Sequence, residues 1–142
     1  MIELSDLSFG YSDAEPIFSR FSHRFEPGTS TALVGRSGSG KSTLLYLIGL
    51  MLSPNAGTVE IDGAIADSLA DWERAAIRAR QMGFVFQDAM LDPARSILDN
   101  VLEGGLYNDQ AGTATRSEAL GLLDRFGFDV DPARRPGQLS GG

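Results

Sequence analysis

The sequence predicts an α/β fold with an antiparallel N-terminal β portion and a helical region toward its end. Three observations carry this. Spaced apolar residues, Ile2, Leu4 and Leu7, then Phe18, Phe21 and Phe25, read as strands at the start of the chain. Two short, mostly apolar runs, Thr31-Ala32-Leu33-Val34 and Gly83-Phe84-Val85-Phe86, have the look of strands buried on both faces. Between and after these runs come stretches of helical spacing rather than further strands alone.

Taken in order, Ile2, Leu4 and Leu7 form a weakly periodic first strand, and Phe18 to Phe25 a second that Glu26-Pro27-Gly28 closes as a turn. After the run at Thr31–Val34, a Gly/Ser-rich turn at Gly35 to Gly40 opens a helix from Lys41 to about Leu50, which Ser53-Pro54-Asn55-Ala56-Gly57 ends. Thr58 to Ile61, turning at Asp62-Gly63, makes a hairpin with Ile65. Ser68 is placed to cap a helix through Trp72, Ala76, Ile77 and Arg80. Past Phe86 the chain predicts a loop at Asp92-Pro93, a short helix at Ile97 to Leu102 and a mobile stretch from Glu103 to Thr115. A last helix from Thr115 to Phe126 sets Ala119, Leu122, Leu123 and Phe126 on one face.

Composition narrows the chemistry. With 142 residues, 42% of them hydrophobic, the chain has the length and apolar content of one globular domain. It contains no Cys, which excludes disulfides, thiol catalysis and Cys-ligated zinc. His23 is the single histidine, so a His-rich metal site is excluded too; between Phe21 and Phe25 it reads as an exposed strand residue. The net charge of −7 argues against nucleic acid as a partner. The longest uncharged apolar run, Leu44 to Leu52, is nine residues, against about 20 for a membrane span. No secretory signal is visible, and a soluble cytosolic chain is expected.

The strongest motif is Gly35-Arg36-Ser37-Gly38-Ser39-Gly40-Lys41-Ser42, a full G-x-x-x-x-G-K-[ST]. A triphosphate concentrates negative charge, and holding it takes several converging donors. Glycines at 35, 38 and 40 allow turns closed to other residues and bring backbone N–H groups near the phosphates. The helix opening at Lys41 adds its positive end. Lys41 suits the β- and γ-phosphates, the Ser42 hydroxyl suits Mg²⁺, and Thr43 adds a hydroxyl toward the α-phosphate. The motif indicates nucleotide binding and says nothing of what the nucleotide is used for.

The stretch Gly35 to Thr43, GRSGSGKST, resembles the Walker A sequence of ATP-binding cassette (ABC) proteins. Tyr11, in Leu7-Ser8-Phe9-Gly10-Tyr11, is similar to the family's aromatic-loop residue. Gln87, ending Met82-Gly83-Phe84-Val85-Phe86-Gln87, resembles the Q-loop glutamine, and Leu139-Ser140-Gly141-Gly142 resembles the start of the LSGGQ signature. Order and spacing agree along the whole chain. A looser resemblance, over Arg78 to Gln87 and Leu91 to Val101, is to the ATPases of bacterial macrolide-export and lipoprotein-release systems.

The resemblance implies a P-loop NTPase of ABC type, with a partial parallel core sheet beside the antiparallel portion, and ATP and Mg²⁺ as ligands. Tyr11 would stack on adenine, Gly35, Arg36, Ser37, Gly38, Ser39, Gly40, Lys41, Ser42 and Thr43 would hold the phosphates, and Ser42 with Gln87 would hold Mg²⁺. Ser140, Gly141 and Gly142 would act in trans, on nucleotide held by a second cassette. The region after Gln87 would receive a transmembrane permease subunit; its apolar residues Met90, Leu91, Ile97 and Leu98 fit either that contact or a core. The chain would be cytoplasmic, peripheral on the inner face of the cell membrane when assembled. It would form one incomplete domain, with residues 1–90 the nucleotide-binding core and 91–142 the helical region.

In the family an acidic strand follows the signature, with an Asp for Mg²⁺ and a Glu that activates water, and a switch histidine follows later. The sequence ends at Gly142, so the chain is expected to be truncated before this Walker B strand, with no catalytic residue of its own. Asp62, Asp88, Asp92 and Asp124 do not substitute, since none ends an apolar strand in that order. The implied function is the ATP-binding subunit of a bacterial ABC transporter, hydrolysing ATP in the full-length family and binding MgATP here. A non-hydrolysing nucleotide-binding module and a soluble ABC protein outside transport share the same residues. A P-loop kinase is opposed by Gln87 and by Leu139 to Gly142.

Overall fold

The computed structural model describes residues 1–12, 15–87, 90–106 and 116–139. The chain divides into two compact units, Met1–Arg78 and Ala79–Gly142.

In the first unit, β1 (Ile2–Phe9), β2 (Phe18–Phe25), β3 (Ala56–Ile61) and β4 (Ala64–Ile65) form one antiparallel sheet in the order β2-β1-β3-β4. The spacing of its apolar residues has a structural cause. Leu4 and Leu7 lie three apart, which in a regular strand would send them to opposite faces. Both are buried, because a bulge at Asp6, with φ 47°, inserts one residue and resets the alternation. A matching bulge at Arg20, with φ 52°, does the same between Phe18 and Phe21 and restores the register, so that Leu4 faces His23 and Phe9 faces Phe18. The displaced amides are satisfied by serine hydroxyls across the pair: Asp6 N–H donates to Ser22 Oγ (2.9 Å) and Arg20 N–H to Ser8 Oγ (3.0 Å). The β3–β4 hairpin turns at Asp62-Gly63, both with positive φ (50° and 82°), the backbone that a two-residue hairpin favours.

Helix α1 (Lys41–Ile48) buries Thr43, Leu44 and Leu47, and the unit's apolar core comprises Leu4, Leu7, Phe9, Leu44, Leu47, Leu50, Val59, Ile61 and Ala66. The helix ends earlier than its sequence spacing predicts. Met51 N–H reaches Tyr46 O (2.8 Å) and Leu50 N–H reaches Leu47 O (3.0 Å), a closed pair of C-terminal bonds that puts Leu50 at the left-handed position, φ 55°. Glycine is the usual residue there; Leu50 holds it because its side chain is 1% exposed and its burial offsets the backbone cost. Arg78 Nη1 donates to Leu50 O (2.7 Å), and Arg74 Nη1 donates to Ser53 Oγ.

The helix expected from Ser68 begins instead at Asp71 and runs to Gln81 (α2). At its start Glu73 Oε2 accepts from Ala70 N–H (2.9 Å), the carboxylate half of a capping box, in place of the serine hydroxyl cap that was expected.

In the second unit, α3 (Ile97–Leu106) and α4 (Arg116–Arg125) pack with Ile97, Leu98 and Ala119 buried. Ser96 caps α3: its Oγ accepts from Asp99 N–H (3.1 Å) and donates to Asp99 Oδ2 (2.6 Å). This arrangement holds the Asp99 carboxyl below its ordinary pKa, with the Ser96 bond the largest cause. The first amides of α3 are anchored too, Ile97 N–H on Arg134 O (2.8 Å) and Leu98 N–H on Pro132 O (3.0 Å). The face of α4 expected to be apolar buries only Ala119; Leu122 and Phe126 are exposed. Part of the segment expected to be mobile, from Glu103 on, belongs to α3, and its remainder, 107–115, lies outside the described residues.

Two expected strands are corrected. Thr31–Val34 and Gly83–Phe86 are not strands among the described residues. An apolar run becomes a strand when a neighbour supplies ladder hydrogen bonds, and neither run belongs to the four-stranded sheet. Their side chains show it: Val34 is 89% exposed and Val85 101%. His23, by contrast, is an exposed strand residue as expected, its ring against Phe25 (4.5 Å between centroids).

Candidate nucleotide site

The Gly/Ser-rich loop lies directly before α1, and two left-handed glycines shape it. Gly38 has φ 79° with open space around it. Gly40, at φ 85°, is the residue from which α1 starts, and a Cβ there would lie 2.5 Å from Ile17 Cγ2 and 3.0 Å from Phe18 Cζ. Only glycine fits Gly40 in both respects, its backbone and its neighbours. Leu44 N–H closes the first helical bond onto Gly40 O (2.8 Å). The amides of the preceding helical residues, Lys41 to Thr43, have no partner within the helix, as at any helix start.

The Lys41 ammonium folds back over the loop. Its Nζ donates to Gly35 O (2.9 Å) and to Arg36 O (2.7 Å), while Ser39 N–H bonds Arg36 O (3.2 Å). These bonds tie Lys41 to the first two residues of the motif and leave the positive charge at the mouth of the loop.

A cleft of about 430 Å³ opens there, lined by Tyr11, Ile17, Ser37, Gly38, Gly40, Lys41, Ser42 and Thr43. Tyr11 stands just past the end of β1, 69% exposed, with its ring edge-on to Phe9 (centroids 5.1 Å, 83°). Its hydroxyl is 3.4 Å from Thr43 Oγ1. An aromatic platform at one side and a helix N-terminus with a lysine at the other are the two features a nucleotide needs: a ring for the base, donors for the phosphates.

The structure therefore brings Tyr11, Gly38, Gly40, Lys41, Ser42 and Thr43 around one cleft, with Ser37 on its rim and Gly35 and Arg36 held by the lysine. Ser39 faces a second, more apolar hollow of about 310 Å³ that Phe18, Phe21, Leu33 and Leu44 help line. Gln87 belongs to the second unit, at the end of the exposed run Phe84 to Phe86. Ser140, Gly141 and Gly142 lie outside the described residues. The residues near Gln87 separate into two kinds: Ile97 and Leu98 are core, whereas Met90 (77%) and Leu91 (43%) are exposed.

Sequence reasoning missed Ile17, which walls the cleft and makes Gly40 obligatory. An isoleucine at the start of a strand carries no signal for this; only the fold brings it to the loop. No cluster of three or more His, Cys, Asp or Glu side chains able to hold a metal occurs among the described residues. Mg²⁺ bound with a nucleotide would take few protein ligands, and the Ser42 hydroxyl in the cleft is a donor of the kind it uses. No helix among the described residues is long and apolar enough to cross a membrane.

Comparison with known proteins agrees with this geometry. Residues 18–142 match the family model described as ABC transporter. The chain is 39% identical over 145 residues to the lipoprotein-releasing system ATP-binding protein LolD 1 of Rhodopirellula baltica, covering 100% of this chain and 63% of that protein. It is 44% identical over 117 residues to the macrolide export ATP-binding/permease protein MacB of Rhodopseudomonas palustris (strain HaA2), covering 82% of this chain and 18% of that protein. Among solved structures, the ATP-binding cassette MJ0796, a dimer in a post-hydrolysis state bound to ADP and Pi, superposes with TM-score 0.86 at 30% identity, over 99% of this chain and 63% of that one. The chain thus spans less than two thirds of the length of these proteins.

Proposed function

The chain belongs to the ABC transporter family, and from that premise we propose that it binds MgATP as the N-terminal part of the ATP-binding subunit of a bacterial transporter. The observation that carries the reading is the left-handed Gly40 opening α1, with the Lys41 ammonium over the loop and Tyr11 across the cleft. In it, backbone N–H groups of the loop and of the first turn of α1 bind phosphate oxygens. Lys41 exchanges its two carbonyl partners for the β- and γ-phosphates, and Thr43 turns its hydroxyl from Tyr11 toward the α-phosphate. Tyr11 offers the exposed face of its ring to adenine. Ser42 would hold Mg²⁺, which neutralises phosphate charge when bound; Gln87 is offered as a second Mg²⁺ ligand on the resemblance alone.

Coupling of ATP hydrolysis to transport is proposed for the whole protein. Ser140, Gly141 and Gly142 would meet nucleotide on a second cassette, and the region after Gln87 would meet a transmembrane permease, with the subunit peripheral on the inner face of the cell membrane. Met90 and Leu91, exposed in that region, would be its contact residues. The transport systems named for LolD and MacB support this transport reading over a soluble, non-transport cassette.

Calorimetry with a non-hydrolysable ATP analogue tests the site. Lys41→Ala removes a charge-assisted contact of about 1.5–3 kcal/mol, so affinity falls roughly 10- to 150-fold. Unchanged affinity in that variant refutes the assignment.

A further inference from the structure

We propose that Asn100 is a positioning residue for the membrane partner: its side chain fixes the loop that carries Met90 and Leu91. This rests on the reading of the region after Gln87 as the permease-facing surface.

The loop at 90–96 contains no regular structure, and its first residue, Met90, has φ 48°, a conformation that costs a side-chain-bearing residue energy. Something must hold it. Asn100 spends its whole amide on the task. Its Oδ1 accepts from Asp92 N–H (2.7 Å), and its Nδ2 donates to Asp92 O (3.1 Å) and to Ser96 O (2.8 Å). One side chain in the first turn of α3 thus clamps the loop from Asp92 to Ser96, directly after Met90 and Leu91. The base from which it does so is firm, because Ile97 and Leu98 are buried and their amides are bonded to Arg134 O and Pro132 O. The loop's other bonds are local or at the surface: Ala94 N–H on Asp92 Oδ1 (2.8 Å) and Arg95 N–H on Asp92 O (3.3 Å) link residues two or three apart, and Arg95 pairs with Asp92 (3.6 Å) and Glu103 (3.1 Å).

Two exposed apolar side chains on an ordered loop meet a partner without first losing conformational freedom. On a loose loop, binding must order several residues, which lowers affinity by about tenfold. Asparagine is required because both a donor and an acceptor are used. Aspartate, of nearly the same shape, would set a carboxylate oxygen against the carbonyls of Asp92 and Ser96.

The test uses the full-length gene product, titrated into its detergent-solubilised permease, with ATP turnover followed against subunit concentration. Three variants are compared: Asn100→Ala, Asn100→Asp and the double variant Met90→Ser/Leu91→Ser. For both Asn100 variants the expected result is a permease-free turnover and MgATP affinity like the parent's, and faster amide hydrogen exchange at Asp92. The concentration for half-maximal stimulation rises about tenfold, and the plateau is recovered at saturation. The aspartate variant leaves no hole and so reports even where alanine fails to fold. If the double variant loses stimulation while both folded Asn100 variants keep the parental half-saturation, the role of Asn100 is refuted and the surface stands. If the double variant is stimulated normally, the surface assignment itself is overturned, and the role of Asn100 with it.

Discussion

Replacing Gly40 by alanine exposes the logic of the loop. Its φ of 85° lies in the left-handed region, which costs an L residue about 1–2 kcal/mol. The new Cβ would also sit 2.5 Å from Ile17 Cγ2 and 3.0 Å from Phe18 Cζ. Ordinary carbon contacts lie at about 3.5–4.0 Å, so the loop or the strand must move. Overpacking of this kind adds about 1–3 kcal/mol. Together the two terms come to about 2–5 kcal/mol, or roughly 30- to 4000-fold in affinity if the phosphate loop is what yields. Two neighbouring glycines separate the terms. Gly38→Ala meets the backbone cost alone, since φ is 79° and nothing lies within 4 Å of the added carbon, so a loss of roughly 5- to 30-fold is expected. Gly35→Ala has no left-handed φ and meets only Ser39 Oγ at 2.7 Å, which rotation of the serine relieves; it should be the mildest of the three. Calorimetry with a non-hydrolysable ATP analogue gives the affinities, and thermal unfolding of the same proteins shows how much of each cost falls on the fold. A Gly40→Ala protein that binds as well as Gly38→Ala, with an unchanged Tm, would refute the reasoning.

Tyr11→Ala should weaken analogue binding by about 1 kcal/mol through lost stacking, while Tyr11→Phe keeps the ring and should lose much less; equal losses in the same titration would mean that the hydroxyl, not the ring, matters. Leu47→Ala, at a side chain 0% exposed, should cost about 2–5 kcal/mol of stability in denaturant unfolding, whereas a polar change at Leu45, 52% exposed, should stay within about 0.5 kcal/mol. The Asp99 carboxyl has its pKa lowered in the folded chain, chiefly by Ser96, so the cap of α3 is at full strength above the unfolded value and is lost as pH falls through the folded one. An NMR titration of the Asp99 carboxyl carbon should give a midpoint below that of an unfolded reference peptide, and Ser96→Ala should raise it.

What the sequence made legible and what it concealed divide along physical lines. The loop from Gly35 to Thr43 was readable because its demands are local: glycine where φ is positive, at 38 and 40, and lysine and hydroxyls at fixed offsets; Gly35, expected to take such a turn as well, has no positive φ. The hairpin at Asp62-Gly63 was readable for the same reason. The β1 spacing looked only weakly periodic, because the bulges at Asp6 and Arg20 depend on a cross-strand exchange with Ser8 and Ser22 that no single strand reveals. The end of α1 was misjudged because Leu50, not a glycine, takes the left-handed position, and only its burial explains that. At α4 the rule works plainly: Gly127, φ 70°, closes the helix with the same bond pattern, Phe128 N–H on Leu123 O. Thr31–Val34 and Gly83–Phe86 have strand composition, but composition supplies no partner.

The charge of the chain and the chemistry of its site point in opposite directions, and distance resolves the conflict. With a net charge of −7, the molecule repels a polyphosphate at long range. That repulsion is screened within about 8–10 Å at physiological salt. The attraction that remains is short-ranged and held in fixed places: the amides of the loop and of the first turn of α1, and the Lys41 ammonium that Gly35 and Arg36 hold over them. Such a site recognises phosphate by the geometry of its donors, not by an attractive field, and geometry is what the glycines supply. Gly38 and Gly40 let the chain turn where side-chain-bearing residues resist turning, and Ile17 and Phe18 fill the space behind Gly40 so that the turn has one shape. The negative charge and the phosphate loop are therefore compatible: one governs what approaches, the other what stays.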